Sequence, residues 1–162
     1  LAAVLLVTVA GCVSRDVPFP DRVLDPEVVG VVTEQRDPGE GNDTFIVGDG
    51  SEVELQSPAV EFAGGGLGEG RLLIVARDDD TTYYLGLVKS DRMSAHPDCH
   101  ELIGAAAWET PEGVVFRFAP ADIGLRLPAA PEFSPETGST GRIARDERFC
   151  ITPDGQVHAP NG

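Results

Sequence analysis

Short apolar segments separated by turn residues constrain the fold of this chain more than any other feature. The clearest case is the pair of segments at residues 44–47 (TFIV) and 52–55 (EVEL), with the turn GDGS at 48–51 between them. Apolar and acidic residues alternate in the second segment, which is the period-2 pattern of a strand with one buried face. Asp-Gly between two such segments is a strong hairpin signal. The sequence therefore predicts two paired strands here.

The same pattern recurs along most of the chain. Further strand-like segments cover residues 28–33, 71–77, 82–89, 101–109, 114–118, 148–152 and 156–158. The segment 101–109 also fits a helix, but the TPEG turn at 110–113 favours a strand. With 19 Gly and 13 Pro residues, the chain has many turn formers and no long uninterrupted segment. We therefore predict an all-β fold, a small β-barrel or sandwich of about eight short strands.

The chain length predicts one domain, and its bounds follow from the distribution of proline. Residues 12–26 contain Pro18, Pro20 and Pro26 and are expected to form an extended tether. A single β domain then covers residues 27–160. Its first strands, over residues 27–90 with a Gly-rich loop before the fourth, faintly resemble an OB-like barrel. That resemblance concerns shape only, because a fold does not by itself specify a function.

The charge of the chain excludes one class of partner. There are 27 acidic residues against 12 basic ones, which gives a net charge of −15. Nucleic acid binding requires clustered Lys and Arg side chains, and no segment of this sequence has such a cluster. The acidity is the ordinary property of a soluble surface. Nucleic acid is therefore not expected as a partner.

The first 13 residues carry no charge and are mostly apolar, and a cysteine, Cys12, stands next to the last of them. About 13 residues are too few to cross a bilayer, which takes roughly 20, but they fit the apolar part of a secretory signal. Residues 9–12 (VAGC) resemble the bacterial lipobox. The resemblance implies that residues 1–11 are removed and that Cys12 carries diacylglycerol and an acylated amino group. The protein would then be lipid-anchored at the bacterial cell membrane and face the extracytoplasmic side.

One departure from the lipobox pattern concerns the start of the signal. Neither an initiator Met nor a basic leader precedes Leu1. We therefore expect the signal peptide to be incomplete at its start. Two or three acyl chains on Cys12 would hold the protein on the membrane, since one chain alone binds only marginally. The membrane is the one partner that the sequence predicts by chemistry.

Two cysteines remain if Cys12 carries lipid. An even pair in an exported chain predicts a disulfide between Cys99 and Cys150. The alternative is that Cys99 is a metal ligand, because His96, Asp98 and His100 surround it and Glu101 follows. Imidazole, thiolate and carboxylate groups all bind zinc, and a site needs three or four of them. No second ligand motif occurs elsewhere, so this metal site remains the alternative interpretation.

The sequence contains no pattern that predicts catalysis. The Gly-x-Ser-x-Gly motif of hydrolases is absent, and His96 and His100 are the best acid–base candidates in a loop. We therefore predict a non-catalytic cell-envelope lipoprotein that needs no cofactor and whose β domain binds a ligand or a protein partner. A metal-binding lipoprotein that uses His96, Asp98 and His100 is the first alternative. An envelope hydrolase with a site hidden in the sequence is the second.

Overall fold

A computed structural model describes residues 17–36, 44–62, 66–91, 96–118, 122–144 and 148–158. This part of the chain contains thirteen strands and no helix, which confirms the predicted all-β class. The strands are β1 (Arg22–Leu24), β2 (Glu27–Arg36), β3 (Thr44–Val47), β4 (Glu52–Glu54), β5 (Ala59–Glu61), β6 (Leu72–Asp78), β7 (Thr81–Lys89), β8 (His100–Ile103), β9 (Ala106–Thr110), β10 (Gly113–Phe118), β11 (Ile123–Leu127), β12 (Arg148–Ile151) and β13 (Val157–His158).

The strands form two sheets that make a sandwich. One sheet has four strands in the order β1-β11-β10-β9. The other has nine, in the order β13-β12-β8-β7-β6-β2-β3-β4, with β5 beside β7. Neither sheet closes on itself over the described residues, so the sandwich interpretation is confirmed and the barrel interpretation is wrong. Strands β2 to β7, from the region that resembles an OB-like barrel, all belong to the larger open sheet.

Strand β6 is central because it is buried on both faces. Leu72 and Ile74 point into the main core, which also contains Phe116 and Leu125 of the four-stranded sheet. The alternate residues of β6 belong to a second, smaller cluster on the other face: Leu73 and Val75, packed with Val32, Phe45 and Leu55. A strand buried on both faces has a continuous apolar run rather than an alternating one. The LLIVA run of β6 is such a sequence.

The ambiguous segment at 101–109 is two strands that belong to different sheets. β8 lies in the nine-stranded sheet, and β9 lies in the four-stranded sheet. Gly104 connects them with a φ of +79°, a left-handed conformation that glycine adopts without steric cost. The strand prediction is therefore confirmed for most of this segment, but the sheet changes at Gly104.

The N-terminal described residues pack against the four-stranded sheet. β1 pairs in parallel with β11, and the side chain of Pro20 covers Gly124, a position where a Cβ atom would lie 2.6 Å from the proline ring. Arg117 donates from Nη1 to the carbonyl oxygen of Pro18 at 2.9 Å. The folded part of the chain therefore begins before residue 27, within the segment 12–26 that was predicted to be a tether.

Candidate functional site

The last hairpin presents one histidine on the outer face of the larger sheet. In β12, Phe149 and Ile151 belong to the main core, so the intervening Cys150 points away from it. His158 of β13 lies directly opposite Cys150 in the antiparallel register. Because paired residues share a face, His158 also lies on the outer face. It is nevertheless only 7% exposed, which means that other parts of the chain cover it.

The segment that contains His96 supplies part of this cover. Cys99 and Cys150 form the predicted disulfide, with their Cα atoms 5.4 Å apart. The Cys99 amide donates to the carbonyl oxygen of His96 at 3.0 Å, which folds the segment into a turn. The imidazole rings of His96 and His158 then lie with their centroids 3.9 Å apart. The disulfide thus connects the two segments that carry these histidines.

Glu132 comes from a third segment, which follows β11. This segment runs beside β13: the Val157 amide donates to Pro128, and the Ala130 amide donates to Val157, both at 2.9 Å. The Glu132 Oε1 atom lies 2.7 Å from His158 Nδ1 and 3.9 Å from His96 Nε2. Three side chains that are distant in sequence are therefore brought together on one surface of the protein.

The distances in this cluster suit a metal ion. One ligand atom from each of His96, Glu132 and His158 lies within 4.8 Å of the other two. Two ligands of a tetrahedral zinc ion, each at about 2.1 Å from it, are roughly 3.4 Å apart. The 2.7 Å and 3.9 Å separations lie on either side of that value.

Glu132 is held in its charged form. Its pKa is lowered first by the hydrogen bond from its own backbone amide and then by the hydrogen bond from His158, while partial desolvation opposes the shift. Because metal ligands must be deprotonated to bind, an ionised carboxylate beside two imidazoles is a favourable ligand set. The His96 side chain is 25% exposed and that of Glu132 is 55% exposed, so an ion can enter from solvent.

A pocket of about 360 Å³ lies beside the cluster and shares His96 with it. Its lining residues are His96, Pro97, Asp98, Thr152, Pro153 and Asp154. The hydroxyl of Thr152 is hydrogen-bonded to Asp154, its neighbour in the β12–β13 turn. The lining contains no serine, so this pocket does not provide the Ser–His pair that the hydrolase interpretation requires.

The residues predicted as a metal set do not come together as a group. His100 lies opposite Ile151 in the β8–β12 register, points into the core and is 3% exposed. Its Nδ1 atom lies 3.0 Å from the carbonyl oxygen of Asp98, and burial lowers its pKa. Of the predicted set, His96 belongs to the observed cluster and Asp98 lines the pocket. His100 does not belong to the cluster. Side chains alternate between the two faces of a sheet, so His100 faces the core while its neighbour Cys99 faces outward.

Sequence reasoning missed Glu132 and His158 as members of this cluster. His158 was predicted only as part of the strand-like segment at 156–158, and Glu132 falls between the predicted strands. A usable signal was nevertheless present. The predicted disulfide places the His96 segment against β12, and β12 is paired by a short turn with the strand that carries the third histidine. Glu132 had no comparable signal, since nothing in its local sequence distinguishes it from the other acidic residues.

The proposed lipidation site lies outside the described residues. Cys12 and the rest of residues 1–16 are not part of the described structure. The described residues contain no helix that is long and apolar enough to cross a membrane.

Comparisons with known proteins leave the site to be interpreted from its own chemistry. No protein-family profile, no curated protein and no solved structure matches this chain.

Proposed function

We propose that this protein is a lipid-anchored, extracytoplasmic β-sandwich that binds a divalent transition-metal ion, with His96, Glu132 and His158 as its protein ligands. The convergence of these three side chains from three separate segments carries the proposal. The role is one of binding rather than catalysis. It combines the lipoprotein interpretation of the sequence with a ligand set that differs from the predicted one.

The ligand types favour zinc and its neighbours in the transition series over calcium or magnesium. Two imidazoles and one carboxylate form a nitrogen-rich set that suits zinc, copper, nickel or iron, whereas calcium and magnesium prefer oxygen ligands alone. Three protein ligands also leave one position of a tetrahedral zinc ion for water or another group. Zinc is therefore the first ion to test.

Two features favour metal binding over a hydrogen-bonded trio of side chains. The 3.9 Å separation of His96 Nε2 from Glu132 is too long for a hydrogen bond, so Glu132 does not explain the position of His96. The two rings also lie in contact, with centroids 3.9 Å apart, so one ion can reach both imidazoles. A cation bound between the two rings and the carboxylate accounts for both features.

The anchoring part of the proposal has a geometric consequence. Four residues lie between Cys12 and Val17, the first described residue, and the five Cα–Cα steps can span at most about 18 Å. Residues 18–24 pack on the four-stranded sheet through Pro20 and β1. Lipid on Cys12 would therefore hold this sheet close to the membrane surface. The short link to the lipid would then keep the domain from moving far from the membrane.

Zinc titration of the full chain tests the metal proposal. We expect one Zn²⁺ ion per chain and at least a tenfold loss of affinity in Glu132→Gln, which removes the charge and keeps an acceptor oxygen. Glu69→Gln is the matched control, because Glu69 is an exposed acidic residue outside the cluster. Equal affinities in the two variants, or no binding by the unchanged protein, would show that the cluster is not a zinc site.

Acyl labelling in a bacterial host tests the anchor. The unchanged protein is expected to incorporate labelled fatty acid and to sediment with membranes, whereas Cys12→Ser should do neither. Labelled, membrane-bound Cys12→Ser would show that the anchor lies elsewhere. The two experiments are independent, so either half of the proposal can fail alone.

A further inference from the structure

We infer that the Cys99–Cys150 disulfide positions His96 for metal binding, so that the oxidised protein binds the ion more tightly than the reduced protein. The observation is a juxtaposition: the disulfide joins the turn that begins at His96 to the residue directly opposite His158. The inference rests on the proposed metal function and adds its dependence on the thiol–disulfide state.

The contacts around the disulfide show why it acts on His96 in particular. Cys150 and His158 are paired in one hairpin, so their relative position is set by the β12–β13 ladder. Glu132 belongs to the segment that is hydrogen-bonded to Val157 of the same hairpin. Two of the three ligands therefore stay together without the disulfide.

His96 is attached to this group less directly. The turn that it begins is closed by the hydrogen bond from the Cys99 amide to the His96 carbonyl, and Cys99 is bonded covalently to Cys150. Without the covalent bond, the turn depends on the hydrogen bond between Ser90 and Cys99 and on the short β8 strand that follows. Binding must then include the cost of ordering this turn, which lowers affinity.

The chemistry of the change is a two-electron reduction. A phosphine attacks one sulfur atom and breaks the S–S bond, and water then converts the phosphonium to a phosphine oxide. The two sulfur atoms each take up a proton, so one disulfide and one water yield two thiols and one phosphine oxide. Coupling is reciprocal: if the disulfide favours metal binding, the bound metal favours the disulfide.

The main experiment compares three forms of the full chain in a Cys12→Ser background, which removes the third thiol. The forms are the oxidised protein, the phosphine-reduced protein after anaerobic removal of the reagent, and Cys99→Ser/Cys150→Ser. Each is titrated with Zn²⁺. We expect the double-serine form to bind about tenfold more weakly than the oxidised form. Equal affinity, within twofold, would overturn the inference.

The reduced protein requires a spectroscopic control because free thiols also bind metal. Its Co²⁺ complex should lack thiolate-to-cobalt charge-transfer absorption and should bind as weakly as the double-serine form. Strong thiolate absorption with higher affinity would overturn the inference by showing that the reduced cysteines are themselves ligands. No zinc binding by the oxidised form would instead contradict the proposed function, so the two failures are distinguishable.

A second measurement covers the case in which the double-serine variant does not fold. The rate of phosphine reduction of the oxidised protein is measured with and without saturating Zn²⁺. We expect zinc to slow reduction by at least about threefold, and we expect no effect in His96→Ala. A purely structural disulfide would be reduced at the same rate with and without zinc, and that result would overturn the inference.

Discussion

Strands β8, β12 and β13 carry one buried histidine on each face of the sheet, and the two histidines have different surroundings. His100 on β8 points inward, lies opposite Ile151 and is surrounded by the main core. His158 on β13 points outward, lies opposite Cys150 and meets Glu132 and His96. Both are buried, at 3% and 7% exposed. The burial of a histidine therefore does not reveal its role, whereas its face on the sheet and its partners do.

This difference depends on one residue of register. Side chains of a strand alternate between faces, so a shift of one position exchanges every inward and outward residue. His100 follows Cys99 directly, and that single step separates the core from the disulfide-linked surface. The inner face then provides stability, and the outer face remains available for binding.

The largest predicted effect tests the inner face through stability. Phe149→Ala removes a side chain that is 3% exposed. Its ring packs edge-on against that of Phe116, with the ring centroids 5.0 Å apart. The free energy of unfolding should fall by about 3–5 kcal/mol. Ile103→Ala, on the outer face and 56% exposed, should change it by less than about 0.5 kcal/mol. Urea unfolding of both variants measures the contrast, and similar losses would contradict the assignment of faces.

The second prediction tests the outer face through zinc affinity. His158→Gln should weaken Zn²⁺ binding by more than about 100-fold, because it removes a ligand. His100→Gln should weaken it by less than about tenfold, because the His100 ring points into the core, away from the cluster, and contacts the carbonyl oxygen of Asp98. Calorimetric titration of folded protein compares the two. A larger loss in His100→Gln would show that the core histidine, not the surface one, is the ligand.

The third prediction concerns Gly104, which connects β8 of the nine-stranded sheet to β9 of the four-stranded sheet. Gly104 has a φ of +79°, and a Cβ atom there would meet nothing within 4 Å. Gly104→Ala should therefore lower the free energy of unfolding by about 1–2 kcal/mol through backbone strain alone. Gly104→Asn should lose less, since asparagine tolerates the left-handed region. An alanine variant as stable as the unchanged protein would indicate that the connection adapts to another conformation.

The smallest predicted effect is a pH dependence of stability due to His100. Burial lowers its pKa below the ordinary 6.5, so the folded ring stays neutral where the unfolded one becomes protonated. The unfolded state then binds more protons, and stability decreases as the pH falls below 6.5 towards the folded pKa. Urea unfolding between pH 7.5 and 5 should show a smaller loss in His100→Gln than in the unchanged protein. Equal losses would assign this pH dependence to other groups.

Much of the fold follows from local sequence, and the exceptions have physical causes. The hairpin around Asp49 and Gly50 forms as predicted, with Gly50 at a φ of +85° and Asp49 accepting a hydrogen bond from the Ser51 amide at 2.8 Å. The prediction missed β1, β5 and β11. β1 and β5 each have three residues and pair in parallel with a strand distant in sequence. Such pairing leaves no turn signal beside the strand.

The candidate site was predictable only in part. His96 was recognised because it is near a cysteine and other ligand types, and the disulfide was predicted by assigning Cys12 to lipid, which left one pair of cysteines. Glu132 was not predictable, because the chain has 27 acidic residues and only packing selects one of them. Asp98 and His100 were favoured because they are close to His96 and Cys99 in sequence, but Asp98 lies in the turn before β8 and lines the pocket, and His100 points into the core.

The sequence by itself determined the all-β class and the acidic net charge, because these depend on turn chemistry and composition, and it predicted the pairing of Cys99 with Cys150 once Cys12 was assigned to lipid. The tertiary structure alone decided that the strands form a sandwich, that His100 faces the core and that His96, Glu132 and His158 meet. The reason is that strand pairing between distant segments sets which side chains share a face, and local sequence does not contain that register.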